Sequence, residues 1–225
     1  MKKLKKALAT TLAVLSAASA LCMPVSASAM NTSTIYDLSQ NYNASLPKAS
    51  SSKTLSVTAC TQEKNNWCWA ACTKMLLGYY GEDISQEEIV KSVKGTNTAE
   101  DVTGTSLEVK DFLNSYMGLT SFKNNSGTFA TIKTRISVGS PVILFGTEST
   151  SGGKSTSHAI ICYGYDTSNS NNLKLKIIDP YTGSTGTLTC SSTSAKSFTM
   201  TVGSSTYTFS AEALVYTTTT SINPK

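Results

Sequence analysis

This 225-residue sequence predicts an α+β fold, on three observations. Helical periodicity and capping signals end before Pro141, and short runs rich in β-branched and aromatic residues fill the chain after it. At 40% hydrophobic and 15% charged residues, the chain is long enough to bury one sizeable core. Helices first and strands second argue for two halves with a groove between them.

The first 29 residues stand outside that core. Four lysines, an apolar stretch from Ala7 to about Leu21 and small residues ending in "SASA" read as a secretory signal peptide cleaved near Ala29. The apolar stretch is short for a membrane span, and bulky Leu21 before Cys22 argues against lipid modification. An exported chain with no stable membrane association is expected. Residues 30–56, rich in Ser, Asn and Thr without a sustained period, are expected to be a linker or short pro-segment, leaving 57–225 as the folded domain.

The first helix is expected in "WCWAACTKMLLGYYG", where Trp69, Cys72, Met75 and Leu76 recur at spacings of three and four. Asn65 or Asn66 is its expected N-cap, and Gly78 or Gly81 its end. Capping boxes announce two more, Ser85 to Glu88 in "SQEEIVKSVKG" and Thr105 to Glu108 in "TSLEVKDFLNSYMG". A fourth runs through "TFATIKTRISVG" and stops before Pro141. Strands follow in "PVILFG", "HAIICYGY", "LKLKIID", "GTLTC", "SFTMTV" and "TYTFSAEALVYT", separated by turn sequences such as "TSNSNN" and "GSS".

Composition excludes some partners. Without the four lysines of the leader the chain carries 15 basic against 14 acidic residues, with no basic patch interleaved with aromatics. Nucleic acid is therefore not an expected partner. Beyond Cys22 the cysteines are Cys60, Cys68, Cys72, Cys162 and Cys190, an odd number, so at least one thiol is unpaired or bonded to another chain. The remaining four allow up to two disulfides in any of three connectivities.

The stretch "QEKNNWCWAAC", Gln62 to Cys72, carries the chemistry. A thiol becomes a nucleophile as its thiolate, and the unpaired N–H groups and positive dipole end of a helix start favour that form; Cys68 is predicted to lie there. An imidazole has to take and return the proton, and His158 is the only histidine in the chain. Asp179, at the end of the following strand, is the candidate to hold the imidazole in its useful tautomer, with Asp166 as the substitute. Developing oxyanion charge needs donors already in place: the Cys68 backbone N–H and the Gln62 side-chain amide are the candidates.

Gln62, Cys68, Trp69 and Ala70 in the pattern Q-x5-C-W-A, followed by His158-Ala159 and a polar residue about twenty positions later, resemble the papain-like cysteine peptidases. The chain is most similar to small secreted bacterial members such as the staphopains and to bacteriocin-leader-processing peptidase domains. The resemblance spans about Thr58 to Tyr216. It implies a two-lobed fold with a helical N-terminal lobe and an antiparallel β-sheet or barrel C-terminal lobe, the active-site cleft lying between. It assigns Cys68 as nucleophile, His158 as general base and acid, and Gln62 as oxyanion donor, with Asp179 where many members have Asn. A monomer acting on protein or peptide substrates, without cofactor or metal, is the resulting expectation.

Three other readings use the same residues. The Cys-His-Asp apparatus could transfer an acyl group to an amine, in cross-linking or deconjugation. Cys68, Cys72, His158 and Cys162 could instead enclose a structural zinc ion. A disulfide-stapled binding module would have no chemistry at all.

Overall fold

The computed structural model describes residues 50–150, 153–202 and 204–218. The expected leader and most of the expected linker lie outside the described residues. Four helices and eight strands form a mixed α+β arrangement. The helices are α1 (Cys68–Tyr79), α2 (Gln86–Lys94), α3 (Ser106–Met117) and α4 (Phe129–Ser137). The strands are β1 (Ser52–Thr54), β2 (Phe122–Asn125), β3 (Val142–Ser149), β4 (Ser155–Asp166), β5 (Leu173–Asp179), β6 (Ser184–Cys190), β7 (Ser197–Val202) and β8 (Ser205–Thr217). Among the described residues no helix is long and apolar enough to cross a membrane.

All strand pairings are antiparallel. The hydrogen-bonded path β4-β3-β8-β7-β6-β5 closes on itself because β5 also pairs with β4, giving a barrel with no free edge along that path. Strand β4 makes closure possible by its length. One of its edges pairs first with β3 and then with β1, while its last residues pair with β5 on the other edge. A bulge between Cys162 and Gly164 bends it between these duties. A side chain at Gly164 would crowd the Lys53 carbonyl oxygen, 2.9 Å from where its Cβ would sit.

Helix α1 is buried on nearly every side and packs along β4 and β3. That accounts for its sequence: a helix enclosed all round carries apolar residues all round, including Ala70, Ala71, Leu76 and Leu77. Its expected N-cap is corrected. Trp67 occupies the cap position, and no side chain caps it. Both capping boxes form as expected at Ser85–Glu88 and Thr105–Glu108, and Gly95 and Gly118 close α2 and α3 in the left-handed conformation.

Two strands depart from a strict helices-then-strands order. β1 lies in the stretch expected to be linker, and pairs Ser52, Lys53 and Thr54 with Asp166, Tyr165 and Gly164. β2 lies between α3 and α4, adding to β8 through Phe122↔Thr217 to Asn125↔Leu214. Both are edge additions completed by tertiary partners.

Candidate active site

The corner around Cys68 is fixed by long-range hydrogen bonds. The Trp67 and Trp69 indole N–H groups donate to the Glu100 and Val102 carbonyls at 2.8 and 3.1 Å. Asn66 bonds the Asp101 carboxylate and carbonyl through its backbone N–H and side-chain amide. Gln86, fully buried on α2, grips the preceding loop from both sides: its amide donates to Thr61 O at 2.7 Å and its carbonyl accepts from Glu63 N at 3.1 Å. Gln62 N donates to Pro180 O at 2.7 Å, which ties the approach to Cys68 to the residue after Asp179.

Cys68 is the first residue of α1. The Ala71 N–H makes the first intrahelical bond, to Trp67 O, so the amides of Cys68, Trp69 and Ala70 have no helical acceptor. No acidic residue occupies the first turn. The missing side-chain cap leaves this positive helix end open to an anion, whether a thiolate or a developing oxyanion.

His158 and Asp179 meet by strand geometry. In the β4–β5 ladder Ile161 faces Ile178, so His158, three residues before Ile161, and Asp179, one after Ile178, project to the same face. His158 Nε2 lies 2.8 Å from Asp179 Oδ1, and the two side chains are only 11% and 10% exposed. Asp179 Oδ1 also accepts from Tyr181 N at 2.9 Å. The nitrogen left to His158 is Nδ1, and Cys68 is the other side chain that acts on the ring.

Burial disfavours a charged ring at His158. The hydrogen bond that the ring donates to Asp179, the interaction with Cys68 and the negative charge these partners carry when ionised outweigh it, and lift the imidazole to about 10. Asp179 responds in the opposite sense: burial raises its proton affinity, but the bond and charge of His158 and the Tyr181 amide hold the carboxyl below its ordinary value. Both partners thus favour the cationic form of the ring, held between sulfur and carboxylate. Such an arrangement keeps a proton ready for a departing amine.

Gln62 lines the same cleft, but its amide hydrogens are committed to the carbonyls of Lys64 at 2.9 Å and Asn65 at 2.7 Å. Its Oε1 is buried without a partner. Asp166 is not brought to the site. It is half-buried at the far end of β4, and its carboxylate accepts from Ser168 N at 2.8 Å.

The cleft is a cavity of about 410 Å³, with Gln62, Cys68, Trp69 and Gly104 from the helical side and His158 and Glu212 from the strands. Its size is ordinary for a ligand site. A Cβ at Gly104 would run into the Trp69 ring, so a glycine is required for this wall to approach the indole.

All five described cysteines are free, so no staple forms among them. Buried Cys72 is held well above its ordinary thiol value by burial, and Cys162 is pushed up to about 12 for the same reason. The zinc reading is also corrected. No group of three or more metal-ligating side chains occurs among the described residues, and Cys162 Sγ donates instead to Gly164 O at 3.6 Å.

Sequence reasoning missed Gln86, Tyr181, Glu148 and Glu212. Glu148 is half-buried on β3; burial and nearby Asp179 raise its carboxyl, against the lowering influence of His158. Glu212 left no signal in the sequence, where the apolar alternation Phe209, Ala211, Ala213 runs past it; only in the structure does burial shift phase there, from Ala211 to Leu214.

A thiol at a helix start, an imidazole beside it and a carboxylate behind the imidazole, set against a closed barrel, are the parts of a cysteine peptidase. The chain belongs to the Peptidase_C39 like family, whose model matches residues 54–206, and is on that ground a cysteine peptidase of the papain-like kind. No curated protein matches it.

Proposed function

We propose that this chain is an exported, monomeric cysteine endopeptidase of the small secreted bacterial type, acting on protein or peptide substrates across a two-lobed, papain-like cleft. The observation that carries the reading is the 2.8 Å His158–Asp179 bond with Cys68 as the ring's other partner at an uncapped helix start. The Cys68 thiolate attacks the scissile carbonyl carbon, and the π electrons of the carbonyl move to its oxygen. That oxyanion is received by the Cys68 backbone N–H and by the Gln62 amide, which exchanges one of its two loop carbonyls for it. Collapse breaks the C–N bond as His158 Nδ1 gives its proton to the leaving amine, leaving an acyl-enzyme. Water then attacks, losing a proton to His158, and the carboxylate product leaves with the thiolate restored.

Residues 1–29 act in this reading as the export leader. Nucleic acid, membrane and metal have no part in it. The test is a thiol-trapping epoxide on the purified chain, followed by peptide mapping, with Cys68→Ala in parallel. One-to-one labelling at Cys68 and loss of peptidase activity in Cys68→Ala are expected. Full activity in that variant refutes the reading.

A further inference from the structure

We propose that Glu212 is a specificity residue that draws a lysine or arginine side chain of the substrate into the cleft beside Cys68. The inference rests on the peptidase reading and adds its substrate class.

Glu212 is placed by a defect in the ladder. β3 and β8 pair Phe145 with Ala213 and then Gly146 with Ala211, so Glu212 is the extra residue of a β-bulge, with no partner across the strand. Bulges re-aim a side chain, and this one turns Glu212 into the cavity that holds Cys68 and His158. Gly146 allows the bulge, since a Cβ there would collide with the Ser210 carbonyl oxygen. The same glycine faces His158 across the β3–β4 ladder, which sets the bulge beside the imidazole.

The carboxylate is held but not neutralised. Thr147 Oγ1 donates to its Oε1 at 2.6 Å, while Oε2 has no partner among the described residues. No lysine or arginine among the described residues forms an ion pair with Glu212, and none lines the cavity. Its neighbours in the lining include the neutral hydroxyl residues Thr105, Ser106, Thr156 and Ser157. A pinned anion with one free oxygen, in a cleft lined by no lysine or arginine, is complementary to an ammonium or guanidinium group that the substrate brings. Glu212 lies beyond residues 54–206, the part of the chain that the family model matches.

The experiment measures alkylation of Cys68 by peptidyl chloromethyl ketones identical except for arginine or citrulline, placed either first or second from the ketone. Citrulline keeps the shape of arginine and removes its charge. The wild-type chain is expected to prefer arginine by about five- to tenfold at one of the two positions, the range of a partly covered charge pair. Glu212→Gln is expected to bring that ratio below about twofold, and Glu212→Lys to favour a glutamate-bearing peptide over its glutamine analogue. Because each ratio is taken within one protein, a general change in reactivity cancels. Alkylation without arginine preference at either position, or an unchanged ratio in Glu212→Gln, overturns the proposal and leaves the peptidase reading standing. Failure of every peptide to alkylate Cys68 overturns both.

Discussion

Replacing Asp179 by asparagine preserves the shape of the side chain and its hydrogen-bonding capacity while removing its charge. The interval from the ordinary 6.5 to about 10 at His158 corresponds to roughly 5 kcal/mol at about 1.4 kcal/mol per pH unit. Asp179 and Cys68 share that stabilisation of the cation, each through a hydrogen bond and a charge. Asp179→Asn therefore withdraws about 2–3 kcal/mol, the size expected of a charged hydrogen bond. The dependence on pH follows from the two directions. His158, raised by folding, adds its stability in full below pH 6.5 and loses it as pH climbs through about 10. Asp179, lowered by folding, adds its stability above pH 3.8 and loses it as pH falls through its folded value. The deficit of the variant is therefore largest near pH 5–6 and shrinks towards pH 10. Urea unfolding of both proteins at pH 5.5, 8 and 10, compared through midpoints at constant slope, measures it. A deficit below about 0.5 kcal/mol at pH 5.5, or one of equal size at all three values, refutes the argument.

Gln62→Ala is expected to lower kcat about 100-fold with little change in KM, because an oxyanion donor acts in the transition state; a rise in KM alone would mark Gln62 as a loop brace. Gly146→Ala is expected to destabilise the fold by about 1–3 kcal/mol, since the clash is with β8 backbone that cannot swing aside. An unchanged thermal midpoint would contradict it.

Local signals carried the sequence reading furthest. The capping boxes at Ser85 and Thr105 were legible because both halves of each lie within four residues. β5 and β7 fell on the runs "LKLKIID" and "SFTMTV" because turn residues bound them on both sides. The meeting of Cys68, His158 and Asp179 was legible for a different reason: with one histidine in the chain, any thiol–imidazole chemistry had one candidate base. What escaped depends on distant partners. The three residues of β1 and the polar "FKNN" of β2 are strands only because β4 and β8 run on past their barrel neighbours and offer their ends to them. The N-cap was misread for a similar reason: Asn66, a good capping residue in isolation, is taken up by Asp101, thirty-five positions away. Gln86 gives no local hint of its role, since both of its partners lie on the loop before Cys68.

The two tryptophans of this chain, Trp67 and Trp69, flank Cys68 and are both almost completely enclosed. Intrinsic fluorescence excited at the red edge of the indole band, beyond tyrosine absorption, therefore originates at a single corner of the molecule. Trp69 forms part of the cleft wall, so an occupant of the cleft meets one of the two emitters directly. The protein carries its own optical gauge of occupancy, usable on the unlabelled chain and on variants that no longer turn over.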